Sequence, residues 1–323
     1  MTVFLIIALF LLVFFLVKAT DQVVIAVRRL SKNSGTLAFA ISALFLAVAT
    51  SLPELSVGIT SALEGTPNLS LGNVLGANIA NLSLVAGLSA ILVGRVNVHS
   101  RFIRHEVFVA ALAAILPLVL IYDKTLSRVD GLILLAAYGA YASSFFKRRF
   151  AQISEEHRKE GFFIRILQRV SNIDGNTRKE SGRLFVGIAL LLITSNLIVR
   201  VSSIFAQDAG IPVFLVGLIL LSIGTTLPEL IFSIRSLGKD QPTMFFGNLL
   251  GSVIANSLLV TGVVATLSPI QISAVSEYMI AITAFLVIFA TFWFFVRSKL
   301  TLERWEAAVL FLIYLTFVFV EFV

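Results

Sequence analysis

Two glutamates each lie deep inside an apolar stretch, Glu54 within residues 36–63 and Glu229 within residues 211–237. A carboxylate at the centre of a membrane helix costs roughly 3 kcal/mol or more, and such a residue is usually functional. A single buried glutamate could instead be satisfied by hydrogen bonds to serine or threonine. Two glutamates at equivalent depth have no such structural need, and paired carboxylate oxygens are ligands that hard cations prefer.

Other oxygen ligands surround each glutamate. The proline directly before it has no N–H, which frees the carbonyl oxygen four residues earlier in the helix. Thr50 and Thr225 precede the glutamates by four residues and therefore share their helix face. Asn81 and Asn256 add amide oxygens from the next apolar segment. The chain has no cysteine and its three histidines lie in or beside connections, so these ligands suit calcium or sodium better than a softer metal.

The surroundings of the two glutamates are copies of one another. Residues 50–87 and 225–262 are 175 positions apart, and 18 of their 38 aligned positions are identical. The identities include the threonine, proline, glutamate and asparagine positions, which a shared apolar composition would not align. The sequence therefore contains an internal duplication.

The composition is that of a membrane protein, with 58% hydrophobic and 13% charged residues. Because a spanning helix needs about 20 mostly apolar residues, we predict ten helices. They cover residues 2–27, 36–63, 71–93, 103–121, 127–146, 183–205, 211–237, 245–268, 275–297 and 301–321.

The first five segments correspond to the second five. Five is an odd number, so the second copy must enter the membrane from the opposite face. The predicted fold class is thus an all-α membrane protein of ten transmembrane helices, arranged as two inverted five-helix repeats. We expect repeat one at 1–146, a linker at 147–182 and repeat two at 183–323.

Lysine and arginine predict the orientation. The connections after helices 1, 3, 5, 7 and 9 hold 21 of the 25 basic residues. The positive-inside rule places these connections, including the 147–182 loop, in the cytoplasm and both termini outside. Within that loop, residues 162–170 have one apolar face, which is typical of an interfacial helix but also compatible with a plain linker.

The duplicated motifs resemble those of the sodium/calcium exchangers in the cation/calcium antiporter superfamily. The shared elements are the TSLPE and TTLPE segments, each followed by a GN-x-x-G-x-x-x-x-N segment, and the resemblance covers the whole ten-helix plan. It implies exchange of Ca²⁺ for Na⁺ across the membrane by alternating access, in a cell-membrane protein that is not an enzyme.

The resemblance also implies a set of ion ligands. A central calcium site would use Glu54, Glu229, Thr50 and Thr225. Flanking sodium sites would use the carbonyls of Ala47 and Ser222 and the hydroxyls of Ser51, Thr226 and Ser252, with Asn81 and Asn256 lining the middle. This chain departs from the family pattern at Ala77, where serine is usual, and at Asn256, where some archaeal members carry aspartate.

Helices 1 and 6 are the expected moving elements. Their polar interruptions, at residues 18–21 and 194–196, are read either as points where they bend or enter the interface, or as ordinary helix ends. No cofactor is expected beyond the transported ions. The partners are Ca²⁺, Na⁺ and the lipid bilayer, with no nucleic acid, and a monomer is expected to function.

Three alternatives remain at this stage. A calcium/proton antiporter would use the glutamates as proton carriers, although proton exchangers of this superfamily tend to carry an acid after the GN pair, which is absent here. An intramembrane enzyme would need a nucleophile–base pair or an HExxH helix, and neither pattern occurs in the apolar segments. A passive channel is disfavoured by the closed, charge-balanced character of the expected site.

Overall fold

The computed structural model describes residues 2–32, 51–94, 96–97, 101–156, 175–298 and 301–322. These ranges contain ten helical segments, which confirms the predicted fold class. They are α1 (Thr2–Lys32), α2 (Leu52–Leu63), α3 (Pro67–Val93), α4 (Arg101–Leu120), α5 (Arg128–Glu156), α6 (Gly175–Ala209), α7 (Val213–Gly238), α8 (Pro242–Leu267), α9 (Val275–Ser298) and α10 (Arg304–Phe322). The first half of the predicted segment 36–63 and the predicted interfacial helix at 162–170 lie outside the described residues.

Several helices are longer than the apolar rule predicts. Helix α5 was expected to end at residue 146 but continues to Glu156, and α6 begins at Gly175 rather than at 183. Their extra turns are polar, so a rule based on apolar length detects only the portion that hydrocarbon would surround. By length and composition alone, seven of the described helices could cross a membrane: α1, α3, α4 and α6 to α9.

The polar interruptions in helices 1 and 6 are neither ends nor breaks. Both helices run through them without a gap. The hydroxyl of Thr20 donates to the carbonyl oxygen of Leu16 at 3.0 Å, and that of Thr194 donates to the carbonyl of Leu190. These two threonine side chains satisfy their hydrogen bonds within their own helix.

Helices α3 and α8 form the centre of the bundle. In the most apolar part of each of these two helices, 83% of the residues are buried. The corresponding share in α1 and α6 is 33%. Helices α1 and α6 pack along each other at the periphery. The third helix of each repeat is therefore central, and it directly follows the helix that carries the glutamate. The first helix of each repeat lies at the periphery.

Two short strand pairs display the inverted relation of the repeats. Strand β1 (Val96–Asn97) pairs antiparallel with β4 (Thr301–Leu302), and β2 (Thr125–Leu126) pairs antiparallel with β3 (Ile270–Gln271). Strands β1 and β3 follow the third helix of their repeats, and β2 and β4 precede the fifth. In each pair, the strand after the third helix of one repeat therefore meets the strand before the fifth helix of the other repeat. Apart from these four two-residue strands and the turns that connect the elements, the described chain is helical.

The contact between α3 and α7 requires glycine. A Cβ atom added at Gly72 would overlap the carbonyl oxygen of Phe214, and one added at Gly76 would overlap that of Leu218. Gly217 of α7 lies equally close to the carbonyl oxygen of Leu69. These three glycines thus bring the backbones of α3 and α7 into direct contact. The GxxxG spacing of the first repeat returns in α8 as Gly247 and Gly251, but there no atom lies within 4 Å of an added Cβ.

We expect Gly76→Ala to destabilise the folded protein, because its methyl group would push α3 away from α7. Overpacking of this kind costs about 1–3 kcal/mol. The matched control is Gly139→Ala in α5, since Gly139 is exposed and has no atom near the position of an added Cβ. Thermal unfolding of the purified proteins in detergent measures the difference. Equal unfolding midpoints for the two variants would contradict the close contact.

Candidate functional site

Both glutamates lie in the first turn of a helical segment. Glu54 follows Pro53 at the start of α2, and Glu229 follows Pro228 in the second part of α7, Leu227–Gly238. Helix α7 is interrupted at Thr226, directly before this part. Proline is favoured in a first helical turn because no N–H is needed there. At such a start, the backbone N–H groups without an acceptor in the helix and the helix dipole both favour a nearby carboxylate.

The two carboxylates are buried, and three of their four oxygens have no hydrogen-bond partner. The exposed fraction is 0% for Glu54 and 1% for Glu229. Neither carboxylate oxygen of Glu54 has a hydrogen-bond partner, and Oε2 of Glu229 has none. The side chains are close enough to interact electrostatically, so they repel each other when both are ionised. Buried charges are normally paired or bound to a metal, and this arrangement therefore requires bound cations or protons.

The second repeat supplies neutral oxygens to the carboxylates. The hydroxyl of Ser252 donates to Oε1 of Glu229 at 3.4 Å. The Thr225 side chain lies beside the Glu54 carboxyl group, but its hydroxyl donates to Oδ1 of Asn73 at 3.3 Å. Glu54 thus has a hydroxyl neighbour from α7, and Glu229 has one from α8. At the position equivalent to Ser252, the first repeat has the buried Ala77, which offers no hydroxyl to Glu54.

The asparagines lie on π-helical turns. In α3 the turn is Asn81–Val85, and in α8 it is Ala255–Val260, which contains Asn256. Asn81 is buried, and neither its Oδ1 nor its Nδ2 atom has a hydrogen-bond partner. The Oδ1 atom of Asn256 also has none. A π-helical turn changes the direction of the side chains that follow and often marks a functional site.

A second polar residue of α3 orients Asn256. The amide nitrogen of Asn256 donates to Oδ1 of Asn78 at 3.3 Å, and Nδ2 of Asn78 donates to the hydroxyl of Ser257 at 2.9 Å. These bonds hold the Asn256 amide so that its unpartnered oxygen faces away from Asn78. Comparison of the repeats could not identify Asn78, because its equivalent is Val253. A cavity of about 30 Å³ borders Asn78, Ser257 and Thr261, which is large enough for a water molecule.

The remaining predicted ligands differ in their hydrogen bonding. Ser51 is buried and its hydroxyl has no partner. The hydroxyl of Thr226 donates to the carbonyl oxygen of Ser222 at 2.8 Å, so in this conformation both groups are already bonded to each other. Ala47 and Thr50 lie outside the described residues. Among the described residues, histidine and carboxylate side chains form no cluster of three or more that could hold a metal ion.

The comparison with protein families gives a match over most of the chain. The model for the sodium/calcium exchanger protein family matches residues 4–147 and 181–323, one block in each repeat. Curated relatives include the sodium/calcium exchanger MaX1 of Methanosarcina acetivorans, which is 29% identical over 95% of both chains. The inner membrane protein YrbG of Escherichia coli is 28% identical over 84% of this chain and 81% of its own.

Solved structures share the fold. The sodium-calcium exchanger NCX_Mj, soaked with Na⁺ and Sr²⁺, superposes with a TM-score of 0.63 at 23% identity, covering 98% of both chains. The H⁺/Ca²⁺ exchanger CAX superposes with a TM-score of 0.74 at 18% identity, covering 97% of this chain and 82% of its own. The family match and the shared ten-helix fold point to a multi-pass membrane transporter rather than an enzyme, and the chain belongs to the sodium/calcium exchanger family.

Proposed function

We propose that this protein exchanges Ca²⁺ for Na⁺ across the membrane at a site between the two repeats. The observation that carries the proposal is the pair of buried carboxylates, Glu54 and Glu229, whose oxygens are almost entirely without protein partners. Neutral oxygen groups surround them, and the cargo would supply the missing positive charge. Relatives named as sodium/calcium exchangers support the choice of ions.

Charge balance explains why the two ions would compete. Two carboxylates carry a formal charge of −2, which one Ca²⁺ or two Na⁺ would neutralise. An empty site with two ionised carboxylates is costly in a low-dielectric interior. The loaded forms would therefore change their access from one membrane face to the other far more readily than the empty form. That difference couples the two fluxes, because each crossing must carry cargo.

We assign the ligands as the resemblance to the sodium/calcium exchangers implies. Calcium would contact Glu54, Glu229, Thr50 and Thr225, and sodium would use the carbonyls of Ala47 and Ser222 with the hydroxyls of Ser51, Thr226 and Ser252. Asn81 and Asn256 would line the centre. Because the Ser222 carbonyl and the Thr226 hydroxyl are bonded to each other, sodium binding there would have to displace this hydrogen bond.

The basic residues support an orientation with both termini outside and the 147–182 loop in the cytoplasm. A cysteine placed in the loop would then react with an impermeant thiol reagent only from the cytoplasmic face. The chain has no cysteine of its own, which makes the background low.

Purified protein in sealed vesicles should accumulate radioactive Ca²⁺ when the vesicles are loaded with Na⁺ and diluted into sodium-free buffer. The outward sodium gradient supplies the free energy, and a potassium-loaded vesicle is the control. Uptake driven only by a pH gradient would replace this proposal with calcium/proton exchange. Uptake without any opposing gradient would indicate a channel.

Replacing either carboxylate with its amide should abolish exchange. Glu54→Gln and Glu229→Gln each remove one of the two charges that balance Ca²⁺, while the side-chain volume hardly changes. The control is Glu277→Gln, because Glu277 is a half-buried glutamate in the first turn of α9, where its carboxylate accepts a hydrogen bond from Ser276. All three proteins should unfold at similar temperatures. Exchange by both site variants at rates near that of the control would refute the site.

Asn78→Leu should raise the Ca²⁺ concentration for half-maximal uptake about fivefold, the effect of losing one hydrogen bond of roughly 1 kcal/mol. The reason is that the Asn256 amide could then rotate its oxygen away from the ion. Ser257→Ala should act in the same direction but less strongly. Asn68→Leu is the control, since Asn68 bonds the Gln271 carbonyl at the surface. A loss of maximal rate with unchanged half-saturation would contradict this positioning role.

A further inference from the structure

Two serines inside the bundle have buried hydroxyls without a hydrogen-bond partner. Ser233 lies in the second part of α7, one turn after Glu229, and Ser89 lies in the last two turns of α3, Ala86–Val93. Both have an exposed fraction of 0%, and neither hydroxyl has a partner. Serine and threonine hydroxyls in a helix usually donate to a carbonyl one turn earlier, as Thr60 of α2 does at 2.9 Å. We call Ser89 and Ser233 the serine pair.

The helical segments that carry the serine pair pack on each other. The second part of α7 lies against Ala86–Val93 of α3. The equivalents of Ser233 and Ser89 in the other repeat are Gly58 and Val264, each 175 positions away. These two residues are in direct contact, because a Cβ atom added at Gly58 would lie 2.9 Å from Cγ2 of Val264. By the repeat relation, Ser233 and Ser89 therefore lie opposite each other between α7 and α3.

The serine pair lies next to one of the two central carboxylates. Residues four apart in a helix share a face, and helical side chains lean toward the preceding turn. The Ser233 side chain is therefore directed toward Glu229, whose Oε2 atom has no hydrogen-bond partner. One carboxylate oxygen and two hydroxyl oxygens are ligands for a hard cation, and a single negative charge balances a monovalent one.

The other repeat offers Glu54 no such pair. Glycine and valine replace the two serines there, so neither hydroxyl is present. Of the three atoms nearest to the Cβ added at Gly58, two belong to Val260 and Val264, and the third is the hydroxyl oxygen of Ser70. The equivalent of Ser70 is Phe245, so the surroundings of the two positions differ throughout.

The serine pair lies on one side of the exchange site. In the orientation that the basic residues support, α7 runs from the outer to the cytoplasmic face. Ser233 follows Glu229 along α7 and is therefore on its cytoplasmic side. Gly58 follows Glu54 along α2, which runs in the opposite direction, and is on its outer side.

We propose that the serine pair and Glu229 form an additional sodium site on the cytoplasmic side of the exchange site. Sodium arriving from the cytoplasm would exchange its hydration shell for these oxygens one turn before the centre. Because only repeat two has the pair, sodium would bind more tightly from the cytoplasmic face than from the outer face. The use of this site in transport rests on the proposed function, whereas sodium binding itself does not.

Removing either hydroxyl should weaken the action of sodium at one membrane face only. Ser233→Ala and Ser89→Ala should each raise the Na⁺ concentration for half-maximal release of loaded Ca²⁺ from inverted membrane vesicles about fivefold, the effect of losing one neutral oxygen contact. The maximal rate should stay the same, as should the Na⁺ requirement of vesicles in the native orientation. Ser202→Ala in α6 is the matched control, since its hydroxyl is equally buried and unpartnered. An equal shift at both faces, or at neither, would overturn the proposal.

Transfer of the pair to repeat one tests the same chemistry as a gain. Gly58→Ser combined with Val264→Ser removes the methyl group that an added Cβ would meet and supplies both hydroxyls beside Glu54. This double variant should lower the Na⁺ requirement at the outer face and leave the cytoplasmic one unchanged. An unchanged outer requirement in a protein with a normal maximal rate would overturn the proposal.

Sodium binding without transport separates this inference from the proposed exchange. Na⁺ should raise the unfolding temperature of the purified protein relative to equal choline chloride in calcium-free detergent, and Ser233→Ala should need about fivefold more Na⁺ for the same rise. Ser202→Ala should behave like the unmodified protein. If this difference appeared while sodium failed to drive Ca²⁺ uptake, the exchange would fall and the sodium site would stand. Sodium-driven uptake with no such difference in Ser233→Ala would overturn the site alone.

Discussion

The structure depends on the repulsion between two carboxylates that are removed from water and given almost no protein partners. Left alone, Glu54 and Glu229 would destabilise the bundle, because a buried charge without a partner costs several kcal/mol. The fold reduces this cost without removing it. Each glutamate lies at the start of a helical segment, where the dipole favours negative charge, and Ser252 donates one long hydrogen bond. A site that was fully satisfied would have no affinity for a cation, so the incomplete satisfaction is what creates the capacity to bind one.

The inverted duplication is what brings these two groups together. Each repeat contributes one glutamate on its second helix, and an odd number of helices per repeat places both at the same depth. The backbones of α3 and α7 can then approach closely, because Gly72, Gly76 and Gly217 have no side chains to separate them. Burial of α3 and α8 in the centre follows from this packing. The peripheral helices α1 and α6 are less enclosed, since only 33% of the residues in their most apolar parts are buried.

Much of this arrangement is predictable from the sequence. The length of the apolar segments, the repeated motif and the acidic residues within apolar segments can all be read without a structure. The ten helices and the position of both glutamates within them are of this kind. The π-helical turns at Asn81 and Asn256 are not, because a single extra residue per turn leaves the apolar pattern nearly unchanged. Asn78 was missed for a different reason. Its partners, Asn256 and Ser257, lie in the other repeat, and its own equivalent is Val253, so only the folded contact identifies it.

The positions where the repeats agree and disagree follow the demands on each region. Under the proposed exchange, both glutamates would serve the same ion from both membrane faces, which accounts for the repetition of the residues around them in the two halves. The contacts that would close each membrane face in the proposed exchange would form in different conformations, so they need not match. Thr60 and Glu64 in one repeat correspond to Arg235 and Lys239 in the other. If the closing contacts were identical, the two conformations would be equal in energy apart from the membrane and the ions. Different contacts would give the protein its own preference between the two conformations, and a gradient of ions would then work with or against that preference.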